Sequence, residues 1–143
     1  MRWLLVSALM VLLAGCQCFT RITASGSLEN GVVFHAPKSS GPYVGGAALL
    51  NLAVFAVAGA DSKPLWQIKG KARTEALTYG VLPSGMKQDA PAARLERGRT
   101  YVVVVEGSPG GVMPGLPCRG KVSFAIGPDG AITFCYEEES ACG

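Results

Sequence analysis

Few side chains in this sequence are suited to chemistry. Five cysteines (Cys16, Cys18, Cys118, Cys135 and Cys142) and one histidine, His35, are the only thiols and the only imidazole in 143 residues. A zinc site needs several nitrogen or sulfur ligands at close spacing, and no Cys-x-x-Cys or second histidine is present, so no metal is expected. A nucleophilic serine on a strand-to-helix elbow would read Gly-x-Ser-x-Gly, which does not occur, and His35 stands in a strand-like run, Val32-Val33-Phe34-His35. Asp61, Asp89 and Asp129 fall among turn-forming residues. Glu137-Glu138-Glu139 is a run of like charge that suits a solvated end or a basic partner. Arg94, Arg97 and Arg99 suit solvent or anionic lipid headgroups. Gly107-Ser108-Pro109-Gly110-Gly111 lacks the Lys-Ser/Thr ending of a phosphate loop and reads as a flexible turn between strands. No catalytic residue and no small-molecule cofactor is therefore expected, and the chain reads as a non-enzyme.

The charge balance narrows the partners. Arg2 is the only charged residue among the first fifteen, so 12 of the 13 basic side chains remain beyond it against 10 acidic ones. A dedicated nucleic-acid binder should present a strongly basic face, so no nucleic-acid partner is expected.

The N-terminus reads as an address. Met1-Arg2 is a short basic start, residues 3–13 are an apolar run, and small residues follow in Leu13-Ala14-Gly15-Cys16. Those three regions in that order make a secretory signal peptide. The last four residues resemble the lipobox of bacterial lipoproteins. The resemblance implies a diacylglycerol on the Cys16 thiol, cleavage after Gly15, and a fatty acyl chain such as palmitate on the new amine. Two or three acyl chains, each worth about 0.8 kcal/mol per buried methylene, hold a protein to a membrane without a spanning helix. By resemblance to enterobacterial sorting, Gln17 rather than Asp after the lipidated cysteine implies the outer membrane, facing the periplasm. The expected organisation is a signal peptide over 1–15, a lipid anchor and the start of the first strand over 16–24, and one domain over 25–143. The second apolar stretch, 44–60, is shorter than the roughly 20 residues of a spanning helix and contains Asn51, so it reads as a buried strand over 49–57, with a short helix as the alternative because Ala and Leu are good helix formers.

The elements that must position these residues are short strands. Nineteen glycines and nine prolines punctuate the apolar runs, a spacing of turns that favours a small antiparallel β-sandwich. Strands are expected over 19–24, 32–35, 49–57, 65–69, 76–82, 101–106, 122–126 and 132–136, with a loop from 83 to 91. Trp66 and Tyr79 are expected in the core, with a surface pair on one sheet as the alternative. Leu95, Gly98, Tyr101, Val103 and Val105 form Leu-x-x-Gly-x-x-Tyr-x-Val-x-Val. This is similar to the approach to a late strand in fibronectin type III and other immunoglobulin-like sandwiches, and it implies that the Tyr101 hydroxyl bonds back to upstream backbone and fixes a corner. The last hairpin is sharper still. Val122, Phe124 and Ile126 alternate with small or polar residues, as do Ile132, Phe134 and Tyr136. Pairing Phe124 with Phe134 places Ile126 opposite Ile132 and leaves Pro128-Asp129-Gly130 as a three-residue loop, with glycine in the left-handed position.

That register bears on the cysteines. With Cys16 taken by lipid, four thiols remain in an exported chain and read as two disulfides with three possible connectivities. Cys118 and Cys142 share the parity of the inward residues of their arms, whereas Cys135 has the opposite parity. This favours Cys118–Cys142 and leaves Cys18–Cys135; a bend between Pro114 and Gly120 would give Cys118–Cys135 instead. Two functions remain: a membrane-anchored, non-catalytic envelope module that binds another protein or a wall component, or a protective, immunity-type inhibitor of a toxin or lytic enzyme.

Overall fold

The computed structural model describes residues 22–35, 48–57, 63–108 and 118–135. Nine strands carry the regular structure among them: β1 Thr23–Ser27, β2 Gly31–His35, β3 Ala48–Ala56, β4 Trp66–Ala72, β5 Ala76–Thr78, β6 Met86–Ala90, β7 Thr100–Ser108, β8 Cys118–Ile126 and β9 Ile132–Cys135. All pairings are antiparallel. They make a three-stranded sheet in the order β1-β2-β5 and a six-stranded sheet in the order β6-β4-β3-β7-β8-β9. The fold is the small all-β sandwich expected from the turn spacing.

The sheets face each other because their strands are apolar on one side. β7 alternates without a break: Tyr101, Val103, Val105 and Gly107 are buried, and the residues between them are half-buried. β8 does the same with Val122, Phe124 and Ile126. β3 has a bulge at Leu50, which has no partner in either ladder. The extra residue changes the parity, so Leu49 and Leu52 both reach the interior. Against them the smaller sheet sets Ala24, Val32, Phe34 and Leu77. Phe34 meets Phe124 across the interface with ring centroids 5.6 Å apart, and Tyr101 stacks on Phe124 at 5.3 Å. Each fully buried large apolar side chain contributes about 1.5–3 kcal/mol. One β-bridge, Ser27 with Ala131, and the bond from Leu28 N–H to Gly130 O (2.9 Å) join β1 to the start of β9.

The apolar stretch at 44–60 supplies β3, between β4 and β7 in the larger sheet. The last hairpin has the expected register, with Phe124 opposite Phe134 and Ile126 opposite Ile132. Its loop closes through Gly130 N–H to Gly127 O (3.0 Å), and Gly130 takes φ 85°. Phe134 nevertheless stays 41% exposed, on the edge strand of its sheet.

Two expectations fail in the middle of the chain. The strand expected over 76–82 stops at Thr78, where Gly80 adopts φ 79° and Val81 N–H returns to Thr78 O. Part of the expected loop 83–91 is β6, an edge strand on β4 in which only Met86 is buried. An edge strand wet along most of its length needs no alternating apolar pattern, so its sequence, Met-Lys-Gln-Asp-Ala, carried no strand signal. Gly107 and Ser108, expected in a turn, are still in β7, opposite Leu49 and Ala48, and the rest of that expected turn lies outside the described residues.

Candidate functional site

The ladders sort the strand ends into two groups. At one end lie Thr23, His35, Ala48, Ala72, Ser108 and Cys118, because Thr23 pairs with His35, Ala48 with Ser108, Leu49 with Ala72 and Gly107 with Cys118. At the other end lie the β1–β2 turn, the start of β4, the segment leading into β7 and the β8–β9 loop. The Ser27–Ala131 bridge ties the two sheets together at this second end. The first is the entry end, where the described chain begins; the second is the turn end.

The turn end holds an open groove of about 730 Å³. Its floor is Val32, Gly31, Gly80 and the alanines 92 and 93, with Leu28 and Leu95 beside them. Gly31 and Gly80 both take positive φ (97° and 79°), which shapes the two turns on one side. The other side is the connection 91–99 between β6 and β7, whose groove-side half is held by Ala93 and Glu96 and whose end is tied to β8 by Gly98 N–H to Ile126 O (2.7 Å) and Ile126 N–H to Arg99 O (3.0 Å). Ala93 N–H bonds to Leu65 O (2.8 Å), the Tyr79 hydroxyl donates to Ala93 O (2.8 Å), and Glu96 N–H donates to the Tyr101 oxygen (2.8 Å). The last of these is the upstream backbone bond expected of Tyr101, which is itself 2% exposed. Trp66 is buried in β4 and meets Tyr79 edge-on at 5.2 Å, so the pair belongs to the packing between sheets. Burial, with Tyr101 adding to it, pushes the Tyr79 phenol from 10.0 up to about 12.

The arginine cluster lies along this groove, and its members differ in their partners. Arg97 bonds to Glu29 and to Pro128 O, and Arg99 pairs with Glu96 at 2.6 Å. Arg94 lines the groove and has no hydrogen bond or ion pair with any described residue. The acidic side chains nearest the groove, Glu29 and Glu96, are thus already neutralised, and one guanidinium is left over.

Other candidates do not assemble into a reactive centre. His35 ends β2 on the outer surface, with its Nε2 3.2 Å from the Ser25 hydroxyl. Both residues are exposed, and no carboxylate among the described residues bonds to the other ring nitrogen. Asp89 pairs with Lys69 at 2.6 Å, and Asp129 accepts the N–H of Ala131. Among the described residues no three His, Cys, Asp or Glu come together. Asp61, Glu137, Glu138 and Glu139 lie outside the described residues, as do Cys16, Cys18 and Cys142.

Two cysteines are placed. Cys118 opens β8, and Cys135 closes β9 opposite Ser123. Cys135 is buried and disulfide-bonded. Cys118 lies five positions along β8 from Ser123, about 16 Å at roughly 3.3 Å per residue. A disulfide needs Cα atoms within about 7 Å, so the ladder excludes Cys118–Cys135.

Nothing in the sequence marked the groove, because its floor is glycine and alanine drawn from three distant turns. Comparison with protein-family models, curated proteins and solved structures finds no match to this chain.

Proposed function

We propose that the chain is a lipid-anchored envelope lipoprotein of the outer membrane, facing the periplasm, and that its domain is a non-catalytic binding module. The observation that carries this reading is the direction of the ladders. The chain enters at Thr23, at the end opposite the groove. Cys16, the residue the lipobox resemblance marks for lipid, stands only six positions before Ile22. Six residues reach about 20 Å at most, so a lipid on Cys16 keeps the entry end near the bilayer and turns the groove outward. A module that binds something in the periplasm needs this polarity.

The strand order supports an immunoglobulin-like variant of the sandwich. Strands one, two and five share a sheet, and the third lies beside β7, the late strand that carries Tyr101, as in that family. β6 and β9 are additions at the two edges of the larger sheet.

The test is detergent-phase partitioning of the protein recovered from its host. Wild-type protein should enter the detergent phase and carry a mass matching cleavage after Gly15 plus acyl groups, and Cys16→Ser should block that processing. An acyl-free wild-type protein in the soluble periplasm would sink the proposal.

A further inference from the structure

We infer that the groove at the turn end takes an extended, acidic segment of a partner protein, added as a short strand along Ala92–Arg94. The inference rests on the binding-module reading above and names the chemistry of the ligand. Two independent features point to it. The first is the backbone of the connection 91–96. Ala93 spends its N–H on Leu65 O and its carbonyl on the Tyr79 hydroxyl. The N–H and C=O groups of Ala92 and Arg94, on either side, bond to no described residue, although both residues line the groove. Unused main-chain groups beside a shallow channel are what a peptide needs in order to add as a strand. Gly31, Gly80 and Ala92 put little side-chain bulk along the groove.

The second feature is charge. Glu29 is held by Arg97 and Glu96 by Arg99, so the groove's own carboxylates cannot serve Arg94. A planar guanidinium beside a peptide channel selects a carboxylate, which it can hold with two parallel hydrogen bonds. The groove is also open to solvent rather than enclosed. Small-molecule sites bury most of their ligand, so this shape suits a segment of chain.

The probe is a random decapeptide library displayed on phage, selected against the processed protein in detergent. Enriched sequences should combine Asp or Glu with strand-forming residues. Their affinity should fall by about tenfold or more in Arg94→Glu, the loss of one charge-assisted contact. It should be unchanged in Arg73→Glu, which alters an exposed arginine between β4 and β5 at the entry end. Ala92→Pro removes an N–H that the fold does not use and should weaken binding without moving the melting temperature. No enrichment, enrichment of basic sequences, or equal binding to Arg94→Glu would each overturn the inference. Detergent-phase partitioning does not involve the groove, so failure here is distinguishable from failure of the anchored-module reading.

Discussion

The Tyr101 oxygen lies 2.8 Å from the backbone nitrogen of Glu96, five residues upstream, and accepts its N–H. This bond fastens the connection 91–99, one wall of the groove, to the first buried residue of β7. Tyr101→Phe leaves the ring to stack on Phe124 but strands the Glu96 N–H in a part-buried position. The expected cost is about 1–3 kcal/mol in chemical denaturation. An unchanged midpoint would mean that water takes the bond at no cost and that the corner does not hold the wall.

Tyr79 makes the domain sensitive to alkali. Its phenol, held neutral by burial and by its proximity to Tyr101, titrates at about 12 in the folded chain against 10.0 when exposed. A group with a raised folded pKa contributes stability that is complete below its unfolded value and is lost as pH climbs through the folded one. Stability should therefore decline between about pH 10 and pH 12. Tyr79→Phe should flatten that decline, as read from urea midpoints across the window. A variant that tracks wild type would assign the loss to other groups.

The disulfides follow from the β8–β9 register. Cys135 lies too far from Cys118 to be bonded to it, and of the two connectivities that remain the parity of Cys118 and Cys142 favours their pairing. Non-reducing peptide mapping of the exported protein should therefore find Cys118 with Cys142 and Cys18 with Cys135. A recovered Cys118–Cys135 peptide would mean that the ladder shifts by several residues in the folded protein. Reduction should cost about 2–4 kcal/mol per bridge.

Two glycines with positive φ separate strain from collision. Gly26 takes φ 97°, and a Cβ there would run into the carbonyl oxygen of Gly31 across the β1–β2 hairpin. Gly98 takes φ 72° with nothing within 4 Å of its Cβ position. Gly98→Ala should cost only the left-handed conformation, about 1–2 kcal/mol. Gly26→Ala should cost clearly more, because two backbones must separate. Equal losses in thermal denaturation would show that the hairpin yields freely.

The parts of this fold that were legible are those in which one face of a strand is dry and the other wet. Val103 and Val105 in β7, and Val122 and Phe124 in β8, carry the alternation openly, and Pro128-Asp129-Gly130 fixed the register of the last hairpin. β6 was hidden because both of its faces and one of its edges meet water along most of its length, which leaves only Met86 to betray it. The strand expected through Leu82 broke at Gly80, where the turn out of β5 won over a run of apolar residues. Tyr101 was legible because a corner needs a specific hydroxyl at a specific spacing. The groove was not: Gly31, Gly80, Ala92 and Ala93 matter by being small, and small residues carry no local signal of what their absence of bulk makes room for. Arg94 could be seen among three arginines, but which of them lacked a partner depended on where Glu29 and Glu96 came to lie.

The central claim is that the domain stands on its entry end with the groove outward, and energy transfer to a labelled bilayer measures it. A donor at Asp129, in the β8–β9 loop, should lie farther from headgroup acceptors than a donor at Glu75, in the turn between β4 and β5 at the entry end. β7 spans the sheet between the two ends, so the difference should be about 25 Å at roughly 3.3 Å per residue. Transfer that is strong at Glu75 and weak at Asp129, and lost from both when residues 17–143 are supplied without Cys16 and its lipid, is the predicted result. Equal transfer from the two sites, or stronger transfer from Asp129, would contradict the account.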